Sequence, residues 1–304
     1  MRSDLANDIV RLTIEHLFLV GTSLALAILI EMHRRRPLLQ IGWLASRDII
    51  RFAAVALLVR LALTEQTYGS VGLLTSGGLT SDQLHILFGF VALAMVLGMI
   101  AACLTLSQER LRLLVAVAAL VIAAGALIDS GATNVTRPPE LYLSQALIGF
   151  GTTLFIGPAL VFGFSRVLAK GPSHLVSFIV LFSITQNVGG LAGSALLGSY
   201  QVIQSRAHAA SLAEHLLGAD PQVLDRIQSG AEVVAGTIVD PTLRGAQGAA
   251  LLGQNLTAEA NILGYNDVFR LVAILALMTA GYIFYRIAWT AYCARKKAQA
   301  GASA

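Results

Sequence analysis

The stretch that most constrains the fold is Leu175 to Ile203, LVSFIVLFSITQNVGGLAGSALLGSYQVI, which runs for 29 residues without a charge. An α-helix rises about 1.5 Å per residue and a bilayer core is about 30 Å thick, so roughly 20 such residues cross it. The stretch predicts a transmembrane helix. Within it Ser183, Asn187, Gly190 and Ser194 recur at helical spacing, with Gln186, Gly189 and Gly193 one step round. One face is therefore small or polar, while Leu and Ile cover the rest. Polar amides in hydrocarbon are costly unless satisfied, and Gly189-x-x-x-Gly193 lets a second backbone approach closely. That face turns toward protein or water, as the wall of a polar path or as a helix-packing seam, and both readings stand.

Composition points the same way. Of 304 residues, 56% are hydrophobic and 12% charged, with mean hydropathy +0.73, whereas about a quarter of the residues of a soluble domain are charged. No tract is basic or aromatic enough for nucleic-acid binding. Cys103 and Cys293 fall at helix ends and read as free thiols. The N-terminal MRSDLANDIVRLTIEH carries acids and no cationic region ahead of an apolar core, so it does not read as a secretory signal. There is no HExxH, GxSxG, Walker loop or paired cysteine, and the histidines are scattered. No catalytic set, metal site or cofactor is expected, and the chain does not read as an enzyme.

Seven apolar segments stand out, at about 14–32, 49–68, 84–106, 111–129, 141–165, 175–203 and 268–292. The first is the weakest, because Leu17 to Ile30 is only 14 residues. Positive residues assign the sides: His33 to Arg36, Arg47 and Arg51, then Arg110 and Arg112, then Arg166 and Lys170, then Arg295 to Lys297 all fall on one side, which is cytoplasmic by the positive-inside rule. An odd number of spans puts the N-terminus outside and the C-terminus in the cytoplasm. The longest connection, 204–267, is expected as an outer loop with short amphipathic helical pieces.

Ionisable or polar residues inside spans mark candidate sites, because burying them in a membrane is costly. Arg60 lies within the second span, to line a cavity or to snorkel toward an interface. Glu65 is five residues on, roughly 140° round a regular helix, so the two are not an obvious same-face pair. Asp129 closes the fourth span and Asp82 and His85 open the third; all read as interfacial, with gating or proton sensing as the functional option. In the fifth span Gln145, Gly149 and Thr152 share a face, ahead of Gly157-Pro158, where Pro favours a kink.

The run Gln186-Asn187-Val188-Gly189-Gly190-x-x-Gly193, then Arg206-x-His208, then Ala260 and Gly264-Tyr265-x-Asp267-x-Phe269 resembles the C-terminal end of the fourteen-helix drug:proton antiporters of the major facilitator superfamily. Glu31, the basic stretch with Arg36-Pro37-Leu38-Leu39, and Arg51 are similar to the passage from that branch's extra helix pair into its second six-helix half. The resemblance covers nearly the whole chain and implies an all-α membrane fold. Residues 1–48 would form an extra helix and basic linker, 49–292 a six-helix C-terminal half with its long outer loop, and 293–304 a cytoplasmic tail. Family members commonly carry Arg where this chain has Gln186, and the N-terminal half of the family's fold has no counterpart here.

The activity implied is multidrug-type efflux of small amphipathic compounds across the inner membrane by proton antiport, powered by the proton gradient without a cofactor. Arg60, Gln145, Gln186 and Asn187 would line the substrate cavity, and Glu65 and Asp129 would serve gating or proton linkage. The partners implied are the lipid bilayer, the substrate, an N-terminal transporter half or a second copy, and a periplasmic adaptor. Two alternatives stand beside this reading: a truncated or scaffold membrane subunit without transport of its own, and a seven-helix sensor.

Overall fold

The computed structural model describes residues 11, 15, 18, 19, 21–23, 25, 26, 29–34, 38–214, 216 and 220–302. Among them every regular element is helical. The short α1 (Ile41–Leu44) precedes α2 (Arg47–Ala62), a π-helical turn (Glu65–Ser70) and α3 (Val71–Ser76). Then come α4 (His85–Thr105), α5 (Leu111–Asp129), α6 (Tyr142–Lys170), α7 (Leu175–Glu214), α8 (Pro221–Val233) and α9 (Pro241–Ala302). Single 3₁₀ turns lead into α4, α6 and α7.

Local chemistry sets several starts. Thr80 and Gln83 form a reciprocal capping box before α4, with the Thr80 N–H donating to Gln83 Oε1 at 2.9 Å. Asp-Pro opens both α8 and α9: the carboxylates of Asp220 and Asp240 accept the N–H groups of Gln222 and Thr242, each at 2.8 Å, while the proline at the first helical position has no N–H to strand. Because these caps place α9's start at Pro241 and α7 runs on to Glu214, most of the expected outer loop is helix.

Among the described residues five helical stretches are long and apolar enough to cross a membrane: Ser81–Thr105, Leu111–Asp129, Pro138–Lys170, Pro172–Glu214 and Pro241–Lys296. They correspond to the last five of the seven expected segments. The first, 14–32, lies partly outside the described residues. The second differs from a regular span: α2 stops after 16 residues, and the π turn interrupts the i→i+4 ladder before α3 resumes it.

The chain divides into two compact units. In the unit of residues 1–53 and 163–183, Phe178 (1% exposed) stacks among Phe52, Phe164 and Phe182, and its ring occupies the space that a Cβ on Gly163 would need. The segment before α1 is stitched by side chains: Glu31 Oε1 accepts the N–H groups of Leu38 and Leu39, and Ser177 Oγ accepts that of Gln40 at 2.8 Å.

The unit of residues 54–162 and 184–304 contains most of the apolar helix. α4 buries Leu87, Val91, Ala94, Gly98 and Ala102, spaced as one helical face. Its other faces leave Phe88, Leu93, Val96, Met99 and Ile100 exposed, as suits contact with lipid. At Gly98 a Cβ would collide with the Phe150 carbonyl and Thr153 Oγ1, so only glycine admits α6 at this distance. Thr153 Oγ1 donates to Met95 O at 2.8 Å across that contact. α5 packs along α9, and α8 packs on α9 as well.

Candidate functional site

α2 and α7 meet through glycine. A Cβ at Gly189 would stand 3.0 Å from Arg60 Cβ, and one at Gly190 would stand 2.9 Å from Arg60 Nη2, so the arginine lies along this pair. At Gly193 a Cβ would collide with Thr64 Oγ1 and lie 3.2 Å from Leu61 O. The small face of Leu175–Ile203 is therefore, at these glycines, a packing seam against α2. Arg60 remains half-buried, and among the described residues no carboxylate lies within 4.0 Å of it. Gln186, one turn before Gly190, is half-buried with Nε2 buried and without a hydrogen-bond partner. Asn187 is exposed.

The π turn that follows carries Glu65 into the interior. Glu65 is 0% exposed, Asp129 and Gln145 1% each, although Asp129 ends its helix and read as interfacial. The Gln145 Nε2 group donates to Glu65 Oε1 at 3.1 Å and to Asp129 Oδ2 at 2.6 Å. One amide thus supplies both acids from its two N–H bonds. Gln66 Nε2 donates to Gln145 O at 3.2 Å, which ties the π turn to α6. Among the described residues each acid keeps one buried oxygen with no hydrogen-bond partner, Glu65 Oε2 and Asp129 Oδ1.

The surroundings hold this arrangement in place. Gly69 and Gly72, on and just after the π turn, face Phe269 and Tyr265 of α9; a Cβ on either glycine would come within 2.6 Å of the ring or its hydroxyl. Tyr68 packs on Tyr265 with ring centroids 6.3 Å apart. Asn266 Nδ2 donates to Ala132 O at 2.8 Å, joining α9 to the chain just beyond Asp129. Further along the same two helices, α7 and α9 are joined by Gln201 to Asn261, and by His208 Nε2 to Asp267 Oδ2 at 2.7 Å. Arg270 Nη1 donates to the other oxygen of Asp267 at 3.1 Å.

Sequence reasoning placed Gln145 with the substrate-cavity residues and Glu65 and Asp129 in a separate role; the structure joins all three in one network. It joins Arg60 to Gly189 and Gly190 instead. Asn266, Tyr265 and the π turn were not singled out for the site. The signal was slight: an acid in the second segment, another closing the fourth and an amide early in the fifth are recognisable as a set only once packing is known. Chemically, two buried carboxyls that share an amide donor and each keep an unpartnered oxygen can take up a proton, because protonation removes the cost of a buried negative charge.

These features define a multi-pass, all-α membrane protein with a buried polar network inside its helices. No family model matches the chain, and no curated protein sequence matches it.

Proposed function

We propose that the chain is the C-terminal part of a transporter that exports small amphipathic compounds in exchange for protons, with Glu65, Gln145 and Asp129 as its proton-carrying element. The observation that carries this is the buried acid pair. A carboxyl deep in a membrane protein is costly unless it is used, and such groups mark proton relays and ion paths. Gln145 donates to both acids, and a proton taken up by either carboxyl, or lost from it, changes the charge of the helix core. The resemblance to the fourteen-helix antiporters supplies the substrate class and the expectation of a partner half. Arg60 and Gln186 would face the substrate path in that assembly, with the N-terminus outside and the C-terminus in the cytoplasm of a plasma membrane.

The test is uptake of a fluorescent amphipathic dye by everted vesicles under an imposed proton gradient, with the chain alone and with a supplied N-terminal half. Gradient-dependent uptake in either setting, abolished by Glu65→Gln while the protein level is unchanged, is the expected result. Uptake that survives Glu65→Gln would remove the acid pair from proton coupling. Silence in both settings would favour a membrane subunit without transport of its own.

A further inference from the structure

The unit of residues 1–53 and 163–183 carries a cleft of about 590 Å³ between the start of α2 and the end of α6. Four permanent cations line it: Arg47, Arg51, Arg166 and Lys170. Among the residues that line the cleft, one is an acid. Asp48 stands 3.9 Å from Arg51 Nη1 and 3.7 Å from Arg166 Nη2. Among the described residues no carboxylate lies within 4.0 Å of Arg47 or Lys170, so the cleft holds a clear excess of positive charge. This charge is gathered from two helices of distant sequence, which a merely solvated charged face does not require.

The surroundings separate a lipid from a soluble anion. Ile50, one residue before Arg51 and on the flank of the helix face that carries Arg47 and Arg51, is 53% exposed, so an apolar side chain emerges beside the cations of α2. Trp43 lines the same cleft and meets the His174 ring edge-on at 5.3 Å; Trp is the amphipathic ring that membrane proteins favour at the lipid–water interface. A soluble phosphate would satisfy the charges but leave that apolar rim in water. A phospholipid satisfies both, with an acyl chain along Ile50 and Trp43 and its phosphodiester taken by guanidinium groups, which bind planar oxyanion pairs well.

We propose that this cleft binds the phosphodiester headgroup of an anionic phospholipid. The site is independent of any transport activity. It anchors the junction between α1 and α2, where the chain enters the helical bundle, to the leaflet on the Lys/Arg-rich side.

Trp43 is a built-in reporter, because the sequence has only one other tryptophan, Trp289. The full-length Trp289→Phe protein is reconstituted into phosphatidylcholine vesicles containing a minority of brominated lipid, either phosphatidylglycerol or phosphatidylcholine, brominated high on the acyl chain. Expected is much stronger quenching of Trp43 by the anionic lipid. Arg47→Gln with Lys170→Gln should cut the preference roughly 25-fold, at about fivefold per charge near a membrane surface. Arg295→Gln with Lys296→Gln, outside the cleft, should leave it in place. Arg47→Lys with Lys170→Arg keeps the charge and should keep the preference, which separates charge loss from misfolding. Equal quenching by the two lipids would overturn the proposal. So would a preference lost equally in both glutamine pairs, which is general surface attraction, or one abolished by inorganic phosphate, which makes the site one for a soluble anion.

Discussion

Arg60 and Glu65 sit five residues apart in adjoining helical turns, and the protein accommodates their charges in opposite ways. Arg60 has no carboxylate partner among the described residues; what it has is space, because α7 presents Gly189 and Gly190 rather than side chains. Its guanidinium is held by shape and remains half-exposed. Glu65 has no space and no exposure, and is held instead by an amide that it shares with Asp129. A flexible cation tolerates a loose setting. A short buried carboxyl requires donors at fixed positions, so its neighbourhood is specified residue by residue.

Breaking the specified side of this contrast should cost the most. Gln145→Leu removes the donor common to both acids and strands two buried carboxyls, so a loss of about 3 kcal/mol or more is expected, read as thermal unfolding in detergent. Adding Glu65→Gln to that variant should recover part of the loss, since one acid then remains. Stability equal to the parent in Gln145→Leu would mean that the amide does not hold the pair.

Next in size is the seam itself. Gly193→Leu must displace the backbone at Leu61 O as well as Thr64, which predicts a loss of about 1–3 kcal/mol. Gly190→Ala presses only on the far end of the Arg60 side chain, which can swing aside, so a change below about 1 kcal/mol is expected in the same unfolding assay. Similar losses from the two substitutions would show that Arg60 is as tightly held as the backbone.

The smallest structural disturbance is a reactivity measurement. With Cys103 and Cys293 replaced by Ser, Arg60→Cys should react with a small water-soluble thiol reagent, whereas Leu197→Cys, at a position that is 0% exposed, should not. Equal protection at both positions would exclude a water-accessible path along Arg60.

The long helices were legible in the sequence because their cause is local. Continuous apolar length in Leu175–Ile203, and in the segments at 84–106 and 111–129, needs no knowledge of neighbours to demand a helix in lipid. The segment at 49–68 was legible as helix but not as an interrupted one, since a π turn at Glu65–Ser70 leaves no mark in a 3.6-residue period. The outer segment 204–267 read as a loop of short amphipathic helical pieces because Gly and Pro interrupt its periodicity, yet Asp240-Pro241 starts a helix that continues into the apolar segment without a break. Within the site, each acid and amide stood out singly as a polar residue in an apolar setting, while their meeting depends on residues up to 80 apart in the chain.

The sequence by itself determined that this is a helical membrane protein and which residues are too polar to face lipid, because hydropathy and charge act over a few residues. Tertiary structure alone decided that Glu65 and Asp129 share Gln145, that Arg60 lies on glycine, and that four cations from two helices line one cleft. The physical reason is range. A side chain's cost in the membrane is set by its own chemistry, but the group that offsets that cost comes from another helix, and only packing places it there.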